Sequence, residues 1–215
     1  MARDERRRQK TLARKKARKK ARRAAQARTN AFQHSTDGVS RSAIRSAPIH
    51  ECLCWAPLSQ TGFGYAVVTR RLPTGEFAVG LFMVDMFCLG VKDAILRIFG
   101  NLHEYEEFKQ KIGEQVPLRV VSAPHIRKLV EGAVAYARDL GFEPSKSYRT
   151  AADIFGDINQ AECADTMVFG KDGKPFYMRG PGETSIRADQ IVKQLTKRCG
   201  PDGFQFITEP PEDED

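Results

Sequence analysis

The chain has 215 residues, 35 Lys+Arg against 27 Asp+Glu, and a formal charge of +8. That charge is segregated: residues 1–30 hold 14 basic and 2 acidic side chains, residues 209–215 hold five acids and no base, and 21 bases face 20 acids between them. The pattern excludes a domain whose whole surface grips nucleic acid, and no apolar run reaches the roughly 20 residues a membrane span needs.

The elements read in chain order as a basic arm (1–30), a linker (31–48), a folded body (49–208) and an acidic tail (209–215). In the arm, Ala13, Ala17 and Ala21 recur every four residues on an otherwise cationic stretch. Like charges at this helical spacing repel, so the free arm is expected to be disordered or only partly helical until a polyanion neutralises it. The linker is rich in Ser, Thr, Gly, Arg and Pro.

The body opens with two apolar runs, Gly64 to Leu72 and Glu76 to Asp85, joined by Pro73-Thr-Gly75, which predicts a β-hairpin. Its second strand is apolar at nearly every position and is expected to be central, buried on both faces. Gly90 to Phe99 and Leu102 to Lys111 read as helices. The clearest helix follows Pro124, where Ile126, Leu129, Val130, Ala133, Val134, Ala137 and Leu140 form one stripe ending at Gly141. A shorter helix is expected over Tyr148 to Phe155. A second hairpin is read from Thr166 to Arg179, turning at Lys171-Asp172-Gly173. A final helix spans Ser185 to Cys199, followed by an edge strand at Phe204 to Ile207. The fold class is therefore α+β: two hairpins in a mainly antiparallel sheet with about four to five helices packed on it.

Three strings, Leu81 to Ala94, Lys128 to Phe142 and Phe169 to Tyr177, resemble bacterial proteins of unknown function that join a Lys/Arg-rich N-terminus to such a body. The resemblance covers roughly 50–205. It implies a bacterial cytoplasmic setting and carries over no activity, cofactor or catalytic residue. The cysteines point the same way: Cys52, Cys54, Cys88, Cys163 and Cys199 are odd in number and irregularly spaced, and no apolar segment backs the N-terminal charges as in a secretory signal. They read as reduced thiols of a cytoplasmic protein.

The arm is the strongest functional signal. Arg6, Arg7, Arg8, Arg14, Lys15, Lys16, Arg18, Lys19, Lys20, Arg22 and Arg23 are expected to contact nucleic-acid phosphates, releasing counterions without reading bases. The arm lacks aromatics for stacking, and RNA or DNA is its natural partner, ribosomal RNA suiting a thin arm that threads between helices. The bland alternatives are a solvated tail and an anionic membrane surface. The body offers weaker candidates. Asp85 interrupts an apolar run and needs a partner; gathered with Asp93, Glu131, Asp153 or Asp157 around Mg²⁺ it would make a phosphodiesterase or nuclease centre. Structural ion pairs are the commoner use of such acids. Gly182, flanked by Arg179 and Arg187 at a helix start, is an anion-site candidate against plain turn-and-cap chemistry. His50, Cys52 and Cys54 lack zinc-knuckle spacing, so no metal site is assigned. A Cys–His nucleophile would join Cys88 or Cys163 to His103 or His125. No cofactor motif occurs, and a protein-interaction domain with an incidental tail stays open as a third reading.

The tail is most simply a solvated terminus, but it can also compete with phosphates for the arm. On that reading, deleting 209–215 raises nucleic-acid affinity at low salt, as measured by fluorescence anisotropy. An unchanged affinity removes the competition.

Overall fold

A computed structural model of the chain describes residues 38–114, 117–180 and 183–207. Five strands, β1 (Ile49–Trp55), β2 (Phe63–Arg71), β3 (Phe77–Asp85), β4 (Gly90–Phe99) and β5 (Leu118–Val120), form one antiparallel sheet in the order β4-β3-β2-β1-β5. The β2–β3 hairpin is the one read from the sequence. Its turn closes with the Leu72 amide on the Glu76 carbonyl at 2.8 Å, and Gly75 takes a φ of +93°. β3 lies between β2 and β4 and is buried at every position but Met83, as an all-apolar strand requires.

Gly90–Phe99 is a strand, not the expected helix. Ala94, Ile95, Leu96 and Arg97 are good or acceptable helix formers. They pair instead with the exposed hydrogen-bonding edge of β3, Ala94 opposite Phe82 and Leu96 opposite Gly80. A register shift beside Met83 leaves Lys92 as an extra residue, which breaks the alternation that would have marked a strand. Pairing along the whole of β3 overrides local propensity.

Seven helical segments pack around this sheet among the described residues. They are α1 (Arg41–Ser46), α2 (Leu58–Thr61), α3 (Leu102–Gly113), α4 (Ala123–Asp139), α5 (Tyr148–Ala151) running into a 3₁₀ turn (Ala152–Phe155), a second 3₁₀ turn (Gln160–Glu162) and α6 (Ser185–Cys199). α1 falls inside the stretch read as linker. Ile44 and Ala47 there are buried in the main core, so the body starts earlier than its charge pattern suggested. α4 is the predicted stripe: the Ser122 hydroxyl caps the His125 amide, Pro124 occupies the first turn, and Gly141 at φ +87° stops it. Ile126, Leu129, Val130 and Val134 are buried against β1–β4, each worth about 1.5–3 kcal/mol of apolar burial. On β3, Gly80 admits the 3₁₀ turn, because a Cβ there would meet Ile154 Cγ2 at 2.6 Å. α3 adds Tyr105, stacked on Phe77 at 5.4 Å, and Phe108, 4.9 Å from Phe99.

The second hairpin is reduced to its tip. Asp172 and Gly173 take φ values of +52° and +77°, and Lys171 bridges Lys174. Residues 166–169 form no strand, and Pro175, which has no amide to donate, follows the turn directly. β6 (Phe176–Met178) pairs instead in parallel with β7 (Gln205–Ile207), the edge segment beyond α6. A smaller cluster (Leu89, Leu140, Phe142, Tyr177, Ile191, Leu195 and Phe204 among its members) holds α6 against the end of α4. None of the described helices is long and apolar enough to cross a membrane.

Among the described residues, one cationic side chain is fully buried in the main body. Arg70 on β2, 1% exposed, donates from Nε to the Ile154 carbonyl at 2.7 Å, from Nη1 to the Ala47 carbonyl, and from Nη2 to the Phe155 carbonyl at 2.8 Å and to Asp157 Oδ1 at 2.9 Å. Arg70→Met removes every Arg70 donor to the Ala47, Ile154 and Phe155 carbonyls, of which Phe155 keeps a second donor, the Ile158 amide at 2.9 Å. It is expected to cost about 3–5 kcal/mol in denaturant unfolding, with Arg70→Lys only partly restoring it. A loss below about 1 kcal/mol would remove Arg70 from this role.

Candidate functional site

The five candidate carboxylates are engaged one by one. Asp85 ends β3 rather than standing mid-strand. Its Oδ1 accepts the Phe87 amide at 3.0 Å and the Cys88 amide at 2.9 Å, capping the tight turn into β4. The turn closes at Gly90, whose φ is +67° and whose missing Cβ would lie 2.8 Å from the Ala133 carbonyl on α4. Burial pushes the Asp85 carboxyl up to about 6, against the opposing pull of Lys92 and the turn amides. Asp93 Oδ1 accepts the Ser147 hydroxyl at 3.0 Å and its neighbour's amide, Ala94 N, at 2.8 Å. Glu131 takes Arg127 Nε at 2.9 Å. Asp153, buried, takes Arg45 on Oδ1 with Arg41 Nε 3.3 Å from Oδ2, tying α1 to the 3₁₀ turn. Asp157 serves Arg70, whose hydrogen bond holds the carboxyl below its usual range. No three of these five gather at metal range among the described residues.

Among the described residues of the anion-site candidate, the Arg179 guanidinium is held within its own loop. Arg179 donates from Nε and Nη2 to the Glu183 carbonyl at 3.1 and 3.0 Å, while Glu183 Oε2 accepts the Tyr177 hydroxyl at 2.8 Å. Thr184 caps α6 by accepting the Arg187 amide at 3.2 Å. The Arg187 side chain is exposed, and Gly182 lies outside the described residues, as do the arm cations Arg6 to Arg23 and the acidic tail.

Cys52 and Cys54 share a buried face of β1, and burial pushes their thiols up, that of Cys52 to about 12. Cys88 is fully enclosed in the smaller cluster, its thiol also raised by burial, and His103 pairs on the surface with Glu107. His50, Glu51 and Glu106 bring donor atoms together on one side of α3, but Lys109 already sits among them, 2.9 Å from Glu51 Oε1 and 2.8 Å from Glu106 Oε1. The Tyr105 hydroxyl completes that network on Glu51 at 2.5 Å. Lys109 supplies the cation there.

In one constellation among the described residues the carboxylate pairs with a histidine rather than with a lysine or arginine. His125, on the first turn of α4, places Nδ1 2.7 Å from Asp165 Oδ2. Ligand atoms of His125, Cys163 and Asp165 all lie within 4.8 Å of one another. Cys163 is buried and held through its backbone: its amide bonds the Gln160 carbonyl at 3.2 Å, and Lys128 Nζ reaches its own carbonyl at 2.8 Å. The Asp165 carboxyl is held below its usual range, first by the His125 hydrogen bond and then by weaker contributions that include the Cys163 thiol. Sequence reasoning paired Cys163 with His125 and missed Asp165. The Cys163-x-Asp165 spacing puts both side chains on one side of an extended segment, a signal that was there to read. No family model, curated protein or solved structure matched the chain.

Asp85 yields a signed pH prediction. Because its folded value lies above the ordinary 3.8, it favours the folded state below about pH 4, and that contribution is lost as pH rises through about 6. Asp85→Asn keeps the acceptor oxygen without the charge. Its stability relative to the parent is expected to improve by about 2–3 kcal/mol between pH 4 and pH 7 in urea unfolding. A difference that does not change with pH would exclude burial of a titrating carboxyl at this turn.

Proposed function

We propose that the protein is a non-enzymatic nucleic-acid-associated protein that binds phosphate backbone through residues 6–23, with RNA as the partner and the α+β body providing placement. One observation carries this reading: 14 of the 35 basic residues fall in the first 30 positions, beside only two acids. A cluster of this density neutralises several phosphates at once, with affinity that falls steeply with salt. The body complements it. Several of its cations (Arg45, Arg70, Arg127 and Lys109) are bonded to carboxylates or carbonyls, which directs the search for a polyanion site to the arm. The phosphodiesterase alternative asks Asp85, Asp93, Glu131, Asp153 and Asp157 to share a metal, and each is instead bonded elsewhere.

The test replaces Arg14, Lys15, Lys16, Arg18, Lys19, Lys20, Arg22 and Arg23 with Gln in the full chain. Binding to single-stranded and structured RNA and to duplex DNA is then followed from 50 to 200 mM salt. The parent is expected to lose about 10³-fold or more in affinity over that range, and the variant to bind at least about 100-fold more weakly at the low end with a shallower salt slope. Equal binding by both chains would place the affinity in the body. No binding by either would leave the domain as a protein-interaction module. Crosslinking and sequencing of nucleic acid bound in cells distinguishes RNA from DNA.

A further inference from the structure

We propose that His125, Cys163 and Asp165 form a zinc site, independent of the arm's binding to phosphate. The three side chains offer an imidazole nitrogen, a thiol sulfur and a carboxylate oxygen within 4.8 Å of one another, the donor set that suits Zn²⁺. A tetrahedral Zn²⁺ needs ligand atoms about 3.3–3.6 Å apart, given metal–ligand lengths of about 2.0–2.3 Å. The 2.7 Å contact between His125 Nδ1 and Asp165 Oδ2 therefore has to open, and the longer separations have to close, by rotation of side chains alone.

The frame that carries them is fixed. His125 sits on a 17-residue helix whose N-cap is Ser122, and the Cys163 backbone is clamped from both sides by Gln160 and Lys128. Access comes from one direction: the His125 side chain is 13% exposed and that of Asp165 is 64% exposed, while Cys163 is buried. Three protein ligands with an open outer face leave a fourth position for water or a small anion, the arrangement of reactive rather than purely structural zinc. Lys128, whose Nζ lies 2.8 Å from the Cys163 carbonyl, brings a positive charge beside the site to offset part of that carried by a thiolate and a carboxylate.

The three donor atoms lie within 4.8 Å of one another, with the His125–Asp165 contact already made at 2.7 Å, and this convergence is what a shared cation requires.

The experiment titrates chelator-stripped full-length protein with Zn²⁺ against a chromophoric competitor, and with Co²⁺ followed by absorption. One Zn²⁺ per chain is expected, together with a Co²⁺ complex that shows tetrahedral visible bands and a thiolate charge-transfer band. Cys163→Ser should abolish the charge-transfer band, and Cys163→Ser, His125→Gln and Asp165→Asn should each weaken Zn²⁺ binding by at least about 100-fold, more than residues that only orient a ligand. The far-UV circular dichroism of Asp165→Asn, at an exposed position, should match the parent and so separates loss of binding from loss of fold. His50→Ala, at the Lys109-filled cluster, should leave the affinity unchanged. Stoichiometry below half an equivalent, a Co²⁺ complex without thiolate character, or parental affinity in Cys163→Ser would each overturn the assignment. An arm stripped of its cations should keep the metal and lose RNA, so the two proposals fail separately.

Discussion

The Arg70 guanidinium is the point on which the main core depends. A buried cation is tolerated only when its donors are matched, and here they meet the carbonyls of Ala47, Ile154 and Phe155 with Asp157 at the rim. Those carbonyls belong to segments that no sheet or long helix could satisfy: the end of α1 and a 3₁₀ turn whose last residues bend away at Gly156. The same turn carries Phe155, stacked on Phe82 at 5.0 Å, and Ile154, seated on Gly80. One side chain on a central strand therefore fixes the irregular cover over β3 in register with the sheet below it.

A second junction lies at the other end of β3. Asp85 caps the turn, and two carbonyls of the turn receive amides from far along the chain: Met86 accepts the Gly170 amide at 3.0 Å and Phe87 accepts the Phe176 amide at 3.1 Å. The two arms of the expected second hairpin thus reach the same turn from either side instead of pairing with each other. Cys88 and Leu89 of that turn also enter the smaller cluster with Ala137, Leu140 and Ile191. Raising the Asp85 carboxyl by burial is the electrostatic consequence of placing this joint inside the protein, where two cores share it.

How far each element was legible in the sequence depends on how local its determinants are. The β2–β3 hairpin, α4 and α6 carry complete periodic stripes with their own caps and turns, and their residues match the structure closely. β4 could not be read because the bulge at Lys92 breaks its alternation and its strand character comes from β3, a partner the local window does not contain. The parallel β6–β7 pair joins segments separated by all of α6, so neither segment announces it. Arg70 stands next to Arg71 at the end of an apolar run and looks like a solvated strand end, and only the carbonyls waiting for it explain its burial. The metal-binding candidates divide in the same way. Cys163 and Asp165 are two residues apart, but His125 is about 40 residues away and is aimed at them only because the Gln160–Glu162 turn packs on α4.

Basic residues inside the body repeatedly serve irregular backbone. Arg127 donates to the Gly156 and Ile158 carbonyls, Lys128 to Cys163, Arg179 to Glu183 and Arg198 to Asp139, as Arg70 does for Ala47, Ile154 and Phe155. Each closes a loop whose carbonyls would otherwise face a poor environment, and charged donors make the stronger bonds. The loop from Gly156 to Cys163 gains its fixed course in this way, and with it the position of the Cys163 thiol beside His125. The same usage bears on the charge of the whole chain. A body in which 21 bases oppose 20 acids already has little net field, and these engaged cations are held in geometries set by the fold, unable to follow a flexible polyanion. The formal charge of +8 is thus the net of a strongly basic first thirty residues, a nearly neutral body and an acidic end.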